Sequence, residues 1–120
     1  MKKKTLVIGA SDNIERYSNK AVKKLTDYGH PVIAIGNKKT FIDDIPIYKE
    51  HLKIDDVDTV TLYLNPQRQK EYYDYILSLH PKRIIFNPGT ENRELADLAV
   101  KNNIEPVEAC TLVLLSTGQY

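Results

Sequence analysis

The sequence predicts an α/β fold: a doubly wound, parallel, five-stranded sheet in a single three-layer domain spanning residues 1–120, strand order 3-2-1-4-5. Three observations carry this expectation. Short β-branched apolar runs alternate with helical segments along the chain. The connections between them are short, which favours right-handed crossovers. The first two runs are apolar rather than alternating, as in strands covered on both faces.

Thr5–Ile8 is the first such run. Ser18 is placed to cap a helix with Ala21, Val22, Leu25 and Tyr28 on one face, and Gly29 suits its C-terminal end. Pro31–Ile35 reads as the second strand, with proline tolerated at its first residue. Residues 36–53 show no helical period and are expected to form loop, with a short extended piece over Ile45–Tyr48. Asp58–Leu64 is the third strand. Pro66 suits the first turn of a helix whose inner side is Tyr72, Tyr73, Ile76, Leu77 and Leu79. Arg83–Phe86 is the fourth strand. Thr90 or Asn92 can cap a helix with Leu95, Leu98 and Ala99 inward. Ile104–Val107 is the last strand, and Thr111–Ser116 a terminal helix or turn.

In such a Rossmann-like sheet, ligands bind beyond the carboxyl ends of the strands, where strand order reverses. Four exits therefore matter: Gly9–Ser11, Gly36–Lys39, Asn65–Gln67 and Asn87–Thr90. A dinucleotide fingerprint needs G-x-G-x-x-G after strand one and an acid after strand two. Here the first turn keeps only Gly9 of that pattern, and the second strand ends in Gly36-Asn37-Lys38-Lys39. The lysines suit a phosphate by charge, or they simply solvate a loop; composition leaves both open. No P-loop string is present, and Ser11 and Asn65 stand where a phospho-accepting receiver domain would carry acids. Of the histidines, only His51 is placed to approach the ligand edge; His30 and His80 belong to the opposite edge. Cys110 is the single cysteine, so no internal disulfide or cysteine zinc site can form. No metal-ligand set and no acid–base pair appear at the exits.

The bulk numbers narrow the classes further. In 120 residues with a formal net charge of +1, a general nucleic-acid binder is not expected. The apolar run after the basic start is too short for a signal peptide, and no stretch reaches the roughly 18 apolar residues of a membrane span. A cytoplasmic protein is the expectation.

"LVIGAS" followed by "ERYSNKAV", "GNK" after strand two, "NPGTEN" after strand four and the late "EAC" resemble the small single-domain CoA-binding proteins. These are similar to the CoA-binding domain of the succinyl-CoA synthetase alpha chain, standing alone. The resemblance implies coenzyme A held across the strand exits. Gly9, Ala10 and Ser11 would then serve the pyrophosphate with the following helix N-terminus, and Arg16 would reach a phosphate, with Tyr17 and Ser18 beside it. Asn37 with Lys38 or Lys39 would meet the adenosine 3′-phosphate. Asn65 and Pro66 would lie near the pantetheine arm, and Asn87, Pro88 and Gly89 would form the strand-four turn. The chain departs from many relatives, which have Asn-Pro after strand two and Gln-x-Gly after strand four. The phosphohistidine of the synthetase comes from a second domain, so ligase activity is not implied. The expected function is binding of CoA or acyl-CoA as a carrier, sensor or subunit without evident catalysis. The alternatives are an NADP-dependent oxidoreductase or other nucleotide-binding enzyme, including one using Cys110, and an interaction protein whose Leu112–Leu115 segment pairs with a second copy.

Overall fold

The computed structural model describes residues 2–120 and shows a three-layer α/β domain around a parallel-dominant sheet. Its strands are β1 (Thr5–Ile8), β2 (Val32–Ile35), β3 (Thr40–Ile42), β4 (Ile45–Tyr48), β5 (Thr59–Leu62), β6 (Arg83–Phe86) and β7 (Glu105–Glu108). Its helices are α1 (Tyr17–Asp27), α2 (Pro66–Gln69), α3 (Tyr73–Leu79), α4 (Arg93–Lys101) and α5 (Thr111–Ser116), with a 3₁₀ turn over Lys70–Tyr72 between α2 and α3.

The sheet has seven strands in the order β3-β4-β2-β1-β5-β6-β7, not five in the order 3-2-1-4-5. The expected third strand, Thr59–Leu62, does not lie outside β2. It pairs with β1 in parallel, Thr5 opposite Thr59, on the other side. The place beside β2 is taken by β4, which runs parallel to it, while β3 folds back on β4 as an antiparallel edge. The apolar alternation explains the difference. Ile42 and Ile47 are almost fully buried in the core on the α1–α5 face, so the segment read as loop supplies its own hydrophobic face. The returning segment, residues 49–58, then buries Val57 and part-buries Ile54 on the opposite face.

β1, β5 and the inner ends of β2 and β6 are buried, which accounts for their apolar and β-branched composition, Thr5, Thr59 and Thr61 included. One face packs Val7, Ala34 and Ile47 against Val22, Leu25 and Leu115. The other packs Leu6, Ile8, Val60, Leu62, Ile84 and Phe86 against Tyr72, Ile76, Leu95 and Ala99. α1 thus covers one face and α2 to α4 the other, and the side of the crossover changes between β1 and β5. Tyr28 leaves the inner face expected of it and is exposed at the end of α1.

Candidate functional site

The change of side opens a cleft of about 440 Å³ at the carboxyl edge of the sheet. Its floor is built from four strand exits: Gly9–Ser11 after β1, Gly36 and Asn37 after β2, Tyr63–Asn65 after β5, and Pro88–Thr90 after β6. Its walls are the start of α1, with Arg16, Tyr17 and Ser18, and the α2 region, with Arg68 and Tyr72.

Two glycines make the close approach of these turns possible. Gly9 has φ +94°, and a Cβ there would stand 2.9 Å from the Tyr63 carbonyl carbon. A Cβ on Gly36 would stand 2.3 Å from the Ala10 carbonyl oxygen. The β1 and β2 exits therefore touch backbone to backbone. The Ile35 carbonyl accepts from both the Gly9 and Ala10 amides, at 2.9 and 3.0 Å, so neither is offered to the cleft. What faces the cleft from this side is the N-terminal turn of α1. Arg16 is its N-cap, no side chain caps it, and its first turn holds no acid. Ser18, expected as the cap, lies inside the helix and is buried. Such a turn leaves amide donors and a partial positive charge directed at the cleft.

Opposite, Asn65 caps α2 by accepting from the Arg68 amide at 2.9 Å. Behind it the fully buried Gln69 donates to the Leu64 and Thr90 carbonyls, both at 2.8 Å, and accepts from Asn92 at 2.9 Å. It thereby staples the β5 exit to the β6 exit. Asn92, rather than Thr90, caps α4, accepting from the Leu95 amide. Burial pushes the Tyr72 phenol above its ordinary value, Glu71 adds to the shift, and the Arg68 charge opposes it.

Ten of the sequence-expected site residues line this cleft: Gly9, Ala10, Ser11, Arg16, Tyr17, Ser18, Asn37, Asn65, Pro88 and Gly89. Four do not. Asn87 is buried, donating to Thr61 Oγ1 and the Leu62 carbonyl and accepting from the Thr111 amide, and so ties β5, β6 and α5 together. Pro66 is exposed at the first position of α2. Lys38 pairs with Asp12 at 3.3 Å beside the cleft, and Thr40 donates to the same carboxylate. That pairing holds the Asp12 carboxyl below its ordinary range. Lys39 is exposed outside the lining. Tyr63, Leu64, Arg68 and Tyr72 were missed. For Arg68 the signal was its place two residues after Pro66 at a strand exit.

Neither histidine edge nor Cys110 enters the lining. The His51 ring lies tilted at 4.7 Å from the ring of Tyr72, a residue of the lining, and stacks at 4.7 Å on Tyr75. Cys110 is half-buried at the N-cap of α5. Among the described residues no group of His, Cys, Asp or Glu side chains converges as metal ligands, and no helix is long and apolar enough to cross a membrane.

The fold is a Rossmann-like α/β domain with a cleft at its carboxyl edge, and the sequence assigns the family. Residues 3–116 match the CoA binding domain family, and the chain belongs to it. A crystal structure of an uncharacterised protein is 51% identical over 100% of this chain and 99% of its own, with a TM-score of 0.98. A hypothetical protein from Pyrococcus horikoshii OT3 is 26% identical over 97% of this chain and 83% of that one, TM-score 0.88. A conserved hypothetical protein from Pyrococcus furiosus, 24% identical over 92% of this chain and 97% of its own, shares the fold with a TM-score of 0.81. No curated protein matches the chain. Family membership supports a CoA-related binding role.

Proposed function

We propose that the cleft at the carboxyl edge binds coenzyme A or an acyl-CoA, and that the chain acts as a carrier, a sensor or one subunit of a larger assembly. The observation that carries this reading is the uncapped α1 N-terminus and Arg16 converging on one cleft with hydroxyls and amides, in a chain of the CoA-binding family. The ligand's diphosphate lies against the first turn of α1, where helix amides and a guanidinium together meet an anion. Ser11 adds a hydroxyl and Asn37 an amide at the β2 exit, the place where nucleotide ribose lies in folds of this kind. Ligand-induced stabilisation tests the reading. CoA at a hundredfold excess over its dissociation constant raises unfolding free energy by about 2.7 kcal/mol, read as a rise in thermal midpoint. Dephospho-CoA, NADP and NAD are titrated beside it. No shift with CoA sinks the proposal, and a shift with NADP alone turns it toward the oxidoreductase.

A further inference from the structure

Two guanidinium groups flank the cleft from opposite sides of the sheet. Arg16 stands at the start of α1, beside the β1 exit, and Arg68 stands in α2, beyond the β5 exit. Both side chains are exposed, and neither takes part in an ion pair among the described residues. No carboxylate belongs to the described lining. The backbone at Arg68 is held by the Asn65 cap, so the side chain is placed by the fold without being used by it. Tyr72 stands in the same wall. The lysines are differently disposed, Lys38 being committed to Asp12 and Lys39 standing outside the lining.

An arginine meets a phosphoryl group with a planar fork of two parallel donors, so one phosphoryl group satisfies one guanidinium. A cleft with a guanidinium on each wall matches two linked phosphoryl groups, the first against α1 and the second turned toward α2. We infer that Arg68 is the second phosphate-binding arm of the site, opposite Arg16, and that the site selects a diphosphate ester rather than a monophosphate. This rests on the CoA reading for the identity of the ligand, though not for its phosphate chemistry. It also shifts the chief electrostatic contact away from the 3′-phosphate, since the lysines are not in the lining.

The test measures dissociation constants of wild type, Arg68→Gln and Arg68→Lys for CoA, dephospho-CoA, 4′-phosphopantetheine and inorganic pyrophosphate. The unliganded thermal midpoint of each variant checks folding. Arg68→Gln weakens CoA, dephospho-CoA and pyrophosphate by one common factor, roughly ten- to hundredfold for a lost charge-assisted contact. Arg68→Lys recovers part of the loss, and the monophosphate 4′-phosphopantetheine is affected least. Unchanged affinities in Arg68→Gln overturn the inference. So does a loss for CoA that spares dephospho-CoA, which assigns Arg68 to the 3′-phosphate. If wild type ignores CoA while Arg68→Gln still weakens pyrophosphate, the CoA reading falls and the arm stands. If wild type binds neither CoA nor pyrophosphate, both fall.

Discussion

The Tyr63 ring packs in the core on the α1–α5 face, where its hydroxyl is buried beside Thr61 and Thr111 without a well-formed hydrogen bond, those two hydroxyls bonding each other at 2.8 Å. Burial drives its pKa upward, so it stays a neutral donor. A buried donor without a partner carries a desolvation cost of about 1–3 kcal/mol. Tyr63→Phe is therefore expected to leave the free protein as stable as wild type or up to about 1 kcal/mol more stable, by urea unfolding. A clear loss of stability would show that the hydroxyl has a partner after all. Gly36 is the converse case. Its added Cβ would meet the Ala10 backbone at 2.3 Å, with no flexible side-chain end to move aside. Gly36→Ala forces the β1 and β2 exits apart, costs about 1–3 kcal/mol as overpacking does, and weakens CoA. An unaltered urea midpoint in this variant would disprove the backbone contact.

Among elements, the β5 and β6 exits at the cleft are tied by buried amides. Gln69 holds the β5 exit to the β6 turn through two carbonyls, and Asn92 completes its hydrogen bonding. Gln69→Leu keeps the volume but strands these partners, for a loss of about 2–3 kcal/mol in chemical unfolding. A loss below about 0.5 kcal/mol would mean that water replaces the amide. These amides were not legible as structural in the sequence. Asn87 sits in a turn of the residue types that bind phosphates, and only the pairing of β6 with β5 and with β7 brings Thr61, Leu62 and Thr111 within its reach. The β3–β4 hairpin was hidden for a related reason. Its two-residue turn is Asp43-Asp44, with Asp43 at φ 53°, and it lacks the glycine that normally marks such a turn. By contrast β1, β2, β5 and β6 were readable, because burial on both faces leaves short runs dominated by apolar and β-branched residues.

For the whole molecule, the amino-terminal edge of the sheet is closed by residues from both ends of the chain. The Tyr120 hydroxyl hydrogen-bonds with Thr5 Oγ1 at 2.6 Å, its carbonyl accepts from Lys3 Nζ at 2.7 Å, and its ring lies 4.4 Å from the Arg83 guanidinium carbon. The His30 ring packs at 4.9 Å on Tyr120 and accepts from the Lys3 amide through Nδ1. Burial first, then Lys2, Lys3 and Arg83, pull the His30 pKa below its ordinary value. Unfolded, His30 titrates near about 6.5. Between the two values the unfolded chain binds the extra proton, so stability falls as pH drops through about 6.5 and levels off below the folded value. A urea midpoint that declines from about pH 7.5 to about pH 5.5, with a shallower decline in His30→Gln, is the expected result. An identical decline in the variant would assign the effect elsewhere.

The sequence alone determined the three-layer α/β class and the four central strands. These are properties of periodicity and of short windows, which burial on two faces and backbone sterics impose locally. Tertiary structure alone decided that β4 takes the place beside β2, that Asn87 turns inward, that Lys38 is held by Asp12, and that Arg68 joins Arg16 across the cleft. Each of these depends on which distant segments the sheet brings together. Strand order and side-chain partnership are set by the summed burial of the whole chain, and no window of neighbouring residues contains that sum.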